Sequence, residues 1–244
     1  MSVKLSIIIP ALNEEKLLPV LLEQLTEPSL RKKYNYEIIV SDGGSTDKTV
    51  SIAKQFTDMV VSAPVGGKQN IAQGRNAGAG IAGGEILVFL NCDTMIENPF
   101  EFFDLIVNKF YPGKYLAMTC AVKVFPVDSK FSDLVFLTFY NYYFWLLNIL
   151  GLGMGRGECH VIRKEIFEDL KGYNEKLIAG EDFELFKRIR RKGKILFANN
   201  ITVFESPRRY RKYGHFKILL TWLSNAISVI FTKKSLSKNW EQVR

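Results

Sequence analysis

Acidic side chains stand at three separated points of the chain, each where an apolar run gives way to polar residues. Asp42 opens Asp42-Gly43-Gly44-Ser45-Thr46-Asp47, Asp93 closes Leu90-Asn91-Cys92-Asp93, and Glu181-Asp182 follow Gly180. A carboxylate such as Asp93 is a hard oxygen ligand suited to Mg²⁺ or Mn²⁺, ions commonly held by one or two carboxylates together with substrate phosphates. Its plain alternative is a solvated turn aspartate. The helix downstream has its own start signal in Asn98-Pro99, so Asp93 is not needed as a cap.

Glu181 and Asp182 form a second acidic station. Helical spacing groups Asp182 with Leu185, Phe186 and Ile189, which directs it toward the interior or a cleft, and groups Glu181 with Glu184 and Arg188, which directs it toward water. An ordinary first-turn carboxylate, stabilised by free N–H groups, is one reading. The other is a general base that takes a proton from an acceptor hydroxyl.

These residues need elements to hold them. Short apolar runs at 5–9, 37–40, 59–62 and 86–90 read as buried strands, and Leu17, Leu18, Leu21, Leu22 and Leu25 read as a helix after an Asn13 cap. The alternation predicts an α/β fold with a mostly parallel central sheet, whose ligands bind outside the carboxyl ends of its strands. Pro10, Ala11, Leu12, Asn13 and Glu14 follow the first strand, Asp42 and Gly43 the second, and Asn91 and Asp93 the fourth. Gly78, Gly80 and Gly83 match GxGxxG, but they close a helix and precede a strand, the reverse of the dinucleotide-binding context.

In series, Ile7-Ile8-Ile9-Pro10-Ala11-Leu12-Asn13-Glu14, Asp42-Gly43-Gly44-Ser45-Thr46-Asp47, Gly74-Arg75-Asn76-Ala77-Gly78, Phe89-Leu90-Asn91-Cys92-Asp93-Thr94 and Gly180-Glu181-Asp182 resemble family 2 glycosyltransferases over roughly residues 3–200. The resemblance implies a GT-A fold, inverting transfer from a nucleotide-diphospho-sugar and a divalent metal, Mg²⁺ or Mn²⁺. It implies that Pro10, Ala11, Asn13, Glu14, Asp42 and Gly43 border the nucleoside and that Arg75 approaches the nucleotide. Asp93 then matches the metal-binding end of the DxD motif, with Asn91 in place of the first Asp, and Asp182, beside Glu181, matches the base. Gly43 stands where an acid is common, so recognition of the nucleobase rests more on Asp42. Lys68, in Gly66-Gly67-Lys68, and Arg208-Arg209, after Ser206-Pro207, are basic groups beside Gly or Pro hinges that could close on a diphosphate or remain solvated.

The chain has 244 residues and 47% hydrophobic content, enough for a sizeable core and too much for disorder. Cys92, Cys120 and Cys159 lack CxxC spacing and there are two histidines, which excludes the usual zinc clusters and favours a reducing cytoplasmic compartment. The N-terminus lacks the length and cleavage site of a secretory signal. Net charge is +8, and nine basic residues against one acid lie in 208–244, leaving 1–207 net neutral. We therefore expect a catalytic unit over 1–207 and a basic, amphipathic helical segment over 208–244.

Residues 134–155 carry no charge. A helix of that length would span about 33 Å, but one crossing would separate Asp93 from Asp182 by a membrane. A helix seated on the fold or in the interface, lining an acceptor cleft with Tyr140, Tyr142, Tyr143 and Trp145, is the preferred reading, and a core or dimer helix the plain one. In 218–231 the residues Thr221, Ser224, Asn225 and Ser228 form one polar stripe on an apolar helix with basic flanks. That pattern suits an anionic membrane surface at the inner face of the cell membrane, or a homo-oligomer contact. The function expected is glycosyl transfer to a hydroxyl acceptor, a lipid-linked one among those allowed. A sugar-phosphate nucleotidyltransferase and a membrane or nucleic-acid adaptor are the competing classes. Nucleic acid is not expected as a partner, because the net-neutral first 207 residues offer no extended basic groove.

Overall fold

The computed structural model describes residues 3–64, 66–237 and 243. Its centre is an eight-stranded sheet of β1 (Leu5–Ala11), β2 (Tyr36–Asp42), β3 (Val60–Ser62), β4 (Ile86–Leu90), β5 (Thr94–Ile96), β6 (Tyr115–Val124), β7 (Cys159–Arg163) and β8 (Lys194–Glu205), in the order β3-β2-β1-β4-β7-β6-β8-β5. The first four strands are those expected from sequence, and they run parallel. β7 enters antiparallel between β4 and β6, while β6 and β8 pair parallel to each other. The sheet is thus mostly parallel, and its second half comes from strands the apolar runs did not single out.

Period-two alternation gives the sheet two apolar faces. Ile7 and Ile9 of β1 join one core with Val88, Phe102 and Phe103, while Ile8 joins the other with Phe89, Phe167 and Phe186. The helices cover both faces: α1 (Leu18–Leu25), α2 (Pro28–Lys33), α3 (Thr49–Phe56), α4 (Ile71–Gly80), α5 (Pro99–Leu105), α6 (Phe131–Ile149), α7 (Lys164–Asp169), α8 (Glu181–Lys192), α9 (Arg208–Tyr213) and α10 (His215–Thr232). α4 lies so close to β1 that a methyl group on Gly78 would sit 2.5 Å from Ile8 Cγ2. Gly78 therefore serves helix-to-strand packing, and the literal GxGxxG match has no dinucleotide role.

The Asn13 cap is corrected. Asn13 takes a left-handed conformation with φ of 55°, and α1 begins only at Leu18, with the Glu14 carbonyl accepting from the N–H groups of Leu17 and Leu18. Asn13 Oδ1 instead accepts from the Thr46 N–H at 2.7 Å, which ties the loop after β1 to the loop after β2. Asn98 does cap α5, accepting from the Glu101 N–H.

α6 packs on β6 and β8. Asn141 accepts from Val122 N–H at 3.0 Å and donates to Val122 carbonyl at 2.9 Å, and Asn148 clasps Met154 in the same two-way manner. Asn141 and Asn148 of this uncharged helix thus face protein. α9 and α10 are fastened to α6 by Asp133, which is fully buried and accepts from Arg211 and from His215 Nε2 at 2.7 Å. Part of the C-terminal positive charge is neutralised inside the fold. Asn225 and Ser228 of α10 are likewise buried and bond to the following loop, Asn225 through Ser237 and Leu236 and Ser228 through Lys234. Phe216, Leu220, Leu223 and Ile227 of α10 are left on the surface, as are Phe131, Leu134, Val135, Phe139 and Leu146 of α6. Among the described residues, no helix is long and apolar enough to cross a membrane.

Candidate active site

Two cavities meet at the carboxyl ends of β1, β2 and β4. The larger, about 510 Å³, is bordered by Pro10, Ala11, Asn13, Glu14, Gly43 and Lys68. The second, about 210 Å³, lies under α6, α8 and α10 and is bordered by Asp182, Arg75, Tyr140, Phe144 and Trp222. Asn91, Asp93 and Arg209 belong to both. The topology explains the meeting: the four parallel strands open their loops on one side, and the antiparallel β7 brings residues 154–158 back to the same edge.

Asp42 is buried at the tip of β2 and accepts from the N–H groups of Gly44 and Ser45 at 3.1 Å. It shapes the turn whose Gly43 borders the larger cavity and is not itself among the bordering residues, contrary to expectation. A carboxylate two residues ahead of a Gly-rich turn is well placed to bond the turn's own backbone, and here it does. Lys68 is exposed at the cavity rim.

Arg75 departs further from expectation. It projects from α4 into the protein rather than toward the larger cavity and is 1% exposed. Nη1 donates to Glu181 Oε1 at 2.9 Å, while Nη2 donates to Asn91 Oδ1 at 3.0 Å and to the Gly157 carbonyl at 2.7 Å. Tyr173 lies 5.1 Å from the guanidinium carbon. One buried cation therefore holds the start of α8, the end of β4 and the 154–158 loop in register. A guanidinium supplies the planar fork that three such acceptors need.

One half of the helical-face assignment is corrected: Glu181 turns away from water, while Asp182 faces a cleft as expected. Glu181 is buried against Arg75, whereas Asp182 stays partly open and borders the smaller cavity. Periodicity placed Asp182 with the apolar face correctly as far as Leu185, Phe186 and Ile189 go, but it could not foresee a buried arginine waiting for Glu181. Asp182 Oδ1 accepts from the N–H of Phe183 at 2.7 Å. Burial, followed by the adjacent Glu181 carboxylate, pushes the Asp182 carboxyl up to about 7, against the downward pull of Arg75. A methyl on Gly157 would come within 3.2 Å of Asp182 Oδ2, so glycine there leaves that oxygen room.

Arg208 also has a definite place. Its guanidinium bridges Glu14 and Asp93, with Nη2 at 2.5 Å from Glu14 Oε1 and 3.0 Å from Asp93 Oδ2. Loops from the ends of β1 and β4 thus present two carboxylates to one cation at the junction of the cavities. Among the described residues, no cluster of three His, Cys, Asp or Glu side chains could hold a metal by itself. Two hard oxygen donors converging on one positive group do fit Mg²⁺ or Mn²⁺ when a diphosphate supplies the remaining ligands.

Sequence reasoning overlooked Arg156, Glu158 and Glu205 in the smaller cavity, and Phe144 and Trp222 in its wall. Of the aromatic residues proposed for an acceptor cleft, Tyr140 and Tyr143 border it, whereas Tyr142 and Trp145 do not. Arg156 and Glu158 precede a strand that joins antiparallel, and nothing in their local pattern marks them as convergent.

The sequence matches the family model "Glycosyl transferase family 2" over residues 6–171, more than half of the chain. The chain belongs to that family. A curated relative, the 4,4'-diaponeurosporenoate glycosyltransferase of Staphylococcus haemolyticus, is 36% identical over 98 residues, which cover 38% of this family 2 chain and 25% of the relative. The chain thus spans about a quarter of that relative's length. The mannosyltransferase PcManGT of Pyrobaculum calidifontis, solved with GDP-Man and Mn²⁺, superposes with a TM-score of 0.67 at 19% identity, covering 90% of this chain and 65% of its own. The glucosyl-3-phosphoglycerate synthase of Mycobacterium tuberculosis, solved with Mn²⁺, UDP and glucosyl-3-phosphoglycerate, superposes with a TM-score of 0.63 at 18% identity, covering 95% and 80%. The fold of this family 2 member is GT-A, as the resemblance implied.

Proposed function

We propose that this glycosyltransferase moves a sugar from a nucleotide-diphospho-sugar to a hydroxyl acceptor with inversion, at the cytoplasmic face of a membrane. The observation that carries the reading is that Asp93 and Asp182, distant in sequence, border one small cavity whose other side opens into the larger one. The nucleoside lies along Pro10, Ala11, Asn13 and Gly43. The diphosphate lies at the junction, where Lys68, Arg208 and Arg209 can meet it. Glu14 and Asp93 would hold Mg²⁺ or Mn²⁺, which when bound stabilises the departing diphosphate as a Lewis acid. Arg208 gives up its bridge between those carboxylates and turns to the phosphates.

Asp182 takes the proton from the acceptor hydroxyl. A carboxyl raised to about 7 is matched to that task near neutral pH, because a base is most effective when its pKa lies close to the working pH. Attack comes from the smaller cavity while the diphosphate departs into the larger, and this opposed arrangement supports inversion. Positioning and electrostatics supply most of the rate.

Membrane contact is supported by the surface of α6 and α10. Phe216, Leu220, Leu223 and Ile227 are exposed on α10, as Phe131, Leu134, Val135, Phe139 and Leu146 are on α6, and Lys212, Lys217, Lys233 and Lys234, near the two ends of α10 in sequence, are exposed as well. An apolar face edged with lysines suits an anionic leaflet. A panel of nucleotide-sugars assayed with Mn²⁺ for transfer or slow hydrolysis tests the chemistry. Asp93→Ala is expected to lose metal-dependent donor binding, and Asp182→Asn to keep binding and lose transfer. Full retention of transfer by both variants would refute the assignment. Flotation with phosphatidylglycerol liposomes tests the surface: Phe216→Glu/Leu220→Glu should remain at the bottom of the gradient, and equal flotation would count against membrane docking.

A further inference from the structure

The smaller cavity has a polar floor that the transfer chemistry does not use. Arg156 is 3% exposed and lies between the rings of Tyr140 and Phe144, 5.9 and 5.6 Å from its guanidinium carbon. Nε donates to Glu158 Oε2 at 3.2 Å. Nη2 lies 3.5 Å from Glu205 Oε1 and, among the described residues, has no hydrogen-bond partner. Glu205 Oε1 accepts from the Tyr210 hydroxyl at 2.6 Å. Burial, and then Glu158, push the Glu205 carboxyl well above its usual range, while Arg156 holds Glu158 low against its own burial. The floor thus offers the carboxyl oxygens of Glu158 and Glu205, the Tyr210 hydroxyl and an unsatisfied guanidinium N–H, all bordering one cavity.

An orphaned donor in a buried guanidinium is costly unless a ligand meets it. Alternating donors and acceptors at this spacing suit neighbouring hydroxyls, each of which both donates and accepts. A phosphate does not suit the same floor. Five carboxyl groups, Asp93, Glu158, Glu181, Asp182 and Glu205, border the cavity against three guanidinium groups, and two of those three already contact carboxylates. Apolar and aromatic residues complete the lining: Tyr143, Phe144, Trp222 and Leu223 border the cavity, and Tyr143 and Leu223 also belong to the exposed faces of α6 and α10. The cavity is therefore continuous with the apolar surface.

We infer that Arg156, Glu158 and Glu205 form an acceptor subsite for a neutral, hydroxyl-rich head group, a sugar or polyol, whose apolar tail leaves between α6 and α10, and that the site rejects lipid phosphates. The inference rests on the glycosyltransferase reading and names the acceptor class for that same site. Glu158 and Glu205 bind the acceptor's spectator hydroxyls, Arg156 Nη2 donates to one of their oxygens, and the reacting hydroxyl is presented to Asp182.

Two probes with the same tail isolate the head group: n-octyl β-D-glucopyranoside, below its micellar concentration, and n-octyl phosphate. Binding to the full chain is followed by tryptophan fluorescence, since Trp222 borders the cavity. The glucoside should bind saturably and at least about tenfold more tightly than the phosphate, and Glu158→Gln and Glu205→Gln should each weaken it about tenfold, the usual consequence of losing a hydrogen bond to a charged or buried group. Equal or tighter binding of octyl phosphate, absence of glucoside binding, or unchanged glucoside binding in both variants would overturn the inference. The comparison of probes needs no variant, so it stands even if a substitution impairs folding. Donor hydrolysis without acceptor is measured separately, and its absence would count against the glycosyltransferase reading while leaving the binding result to judge the subsite.

Discussion

Arg75 and Glu181 form a buried ion pair, Nη1 to Oε1 at 2.9 Å, across 106 positions of sequence. The pair fixes the first turn of α8, and with it the direction in which Asp182 points. Breaking a buried pair by removing one partner leaves an uncompensated charge, so Arg75→Met should lower stability by about 3–5 kcal/mol in urea unfolding. A loss below about 1 kcal/mol would show that the pair is solvated and does not hold α8.

The raised Asp182 carboxyl predicts the acidic limb of the pH profile. The base must be ionised, so transfer should rise about tenfold per unit below pH 7 and level off above it. Glu181→Gln removes the neighbouring charge that pushes Asp182 up and leaves Arg75 pulling it down, so the limb should move to lower pH. A limb that stays in place would exclude Asp182 as the titrating group.

The same shift bears on stability. A carboxyl raised in the folded state binds more protons there than in the unfolded chain. Its favourable contribution is complete below about pH 4 and is lost as pH rises through about 7. Asp182→Asn should therefore be more stable than the parent at pH 8 by at least about 1 kcal/mol, with the difference shrinking toward pH 4. Thermal melts at the two pH values would decide the matter, and a constant difference would contradict it.

Asp133 behaves in the opposite sense. Against its own burial, Arg211, the Lys130 N–H and His215 draw its carboxyl down to about 2. A depressed carboxylate contributes stability above its unfolded pKa and loses it as pH falls through the folded value. Asp133→Asn should cost on the order of 2 kcal/mol at pH 7, and less than about 0.5 kcal/mol at pH 2. Because Asp133 joins α6 to α9 and α10, proteolysis of the variant should begin near 208–232.

Chelation tests the junction of the cavities. EDTA should abolish transfer, and Mn²⁺ should restore it in the parent but not in Asp93→Ala. Arg208→Met should bind Mn²⁺ more tightly without donor, because the guanidinium no longer neutralises Glu14 and Asp93. Unchanged Mn²⁺ affinity in isothermal titration would mean that the two carboxylates do not meet the ion.

Local pattern was enough for the parallel half of the sheet, for the acidic residues at its carboxyl ends and for the family. Apolar runs at 5–9, 37–40 and 86–90 have only one way to be buried on both faces, and Asn98-Pro99 or the stripe from Leu18 to Leu25 carries its meaning within a few residues. The tertiary structure alone decided that Glu181 is buried rather than turned to water, since that depends on Arg75 arriving from α4. It also decided that Asp42 serves its own turn, that Arg208 sits on Glu14 and Asp93, and that Arg156, Glu158 and Glu205 share one floor. Each is an electrostatic contact between segments far apart in sequence. A charged side chain has no periodicity that announces its partner, and its environment exists only once the chain has folded.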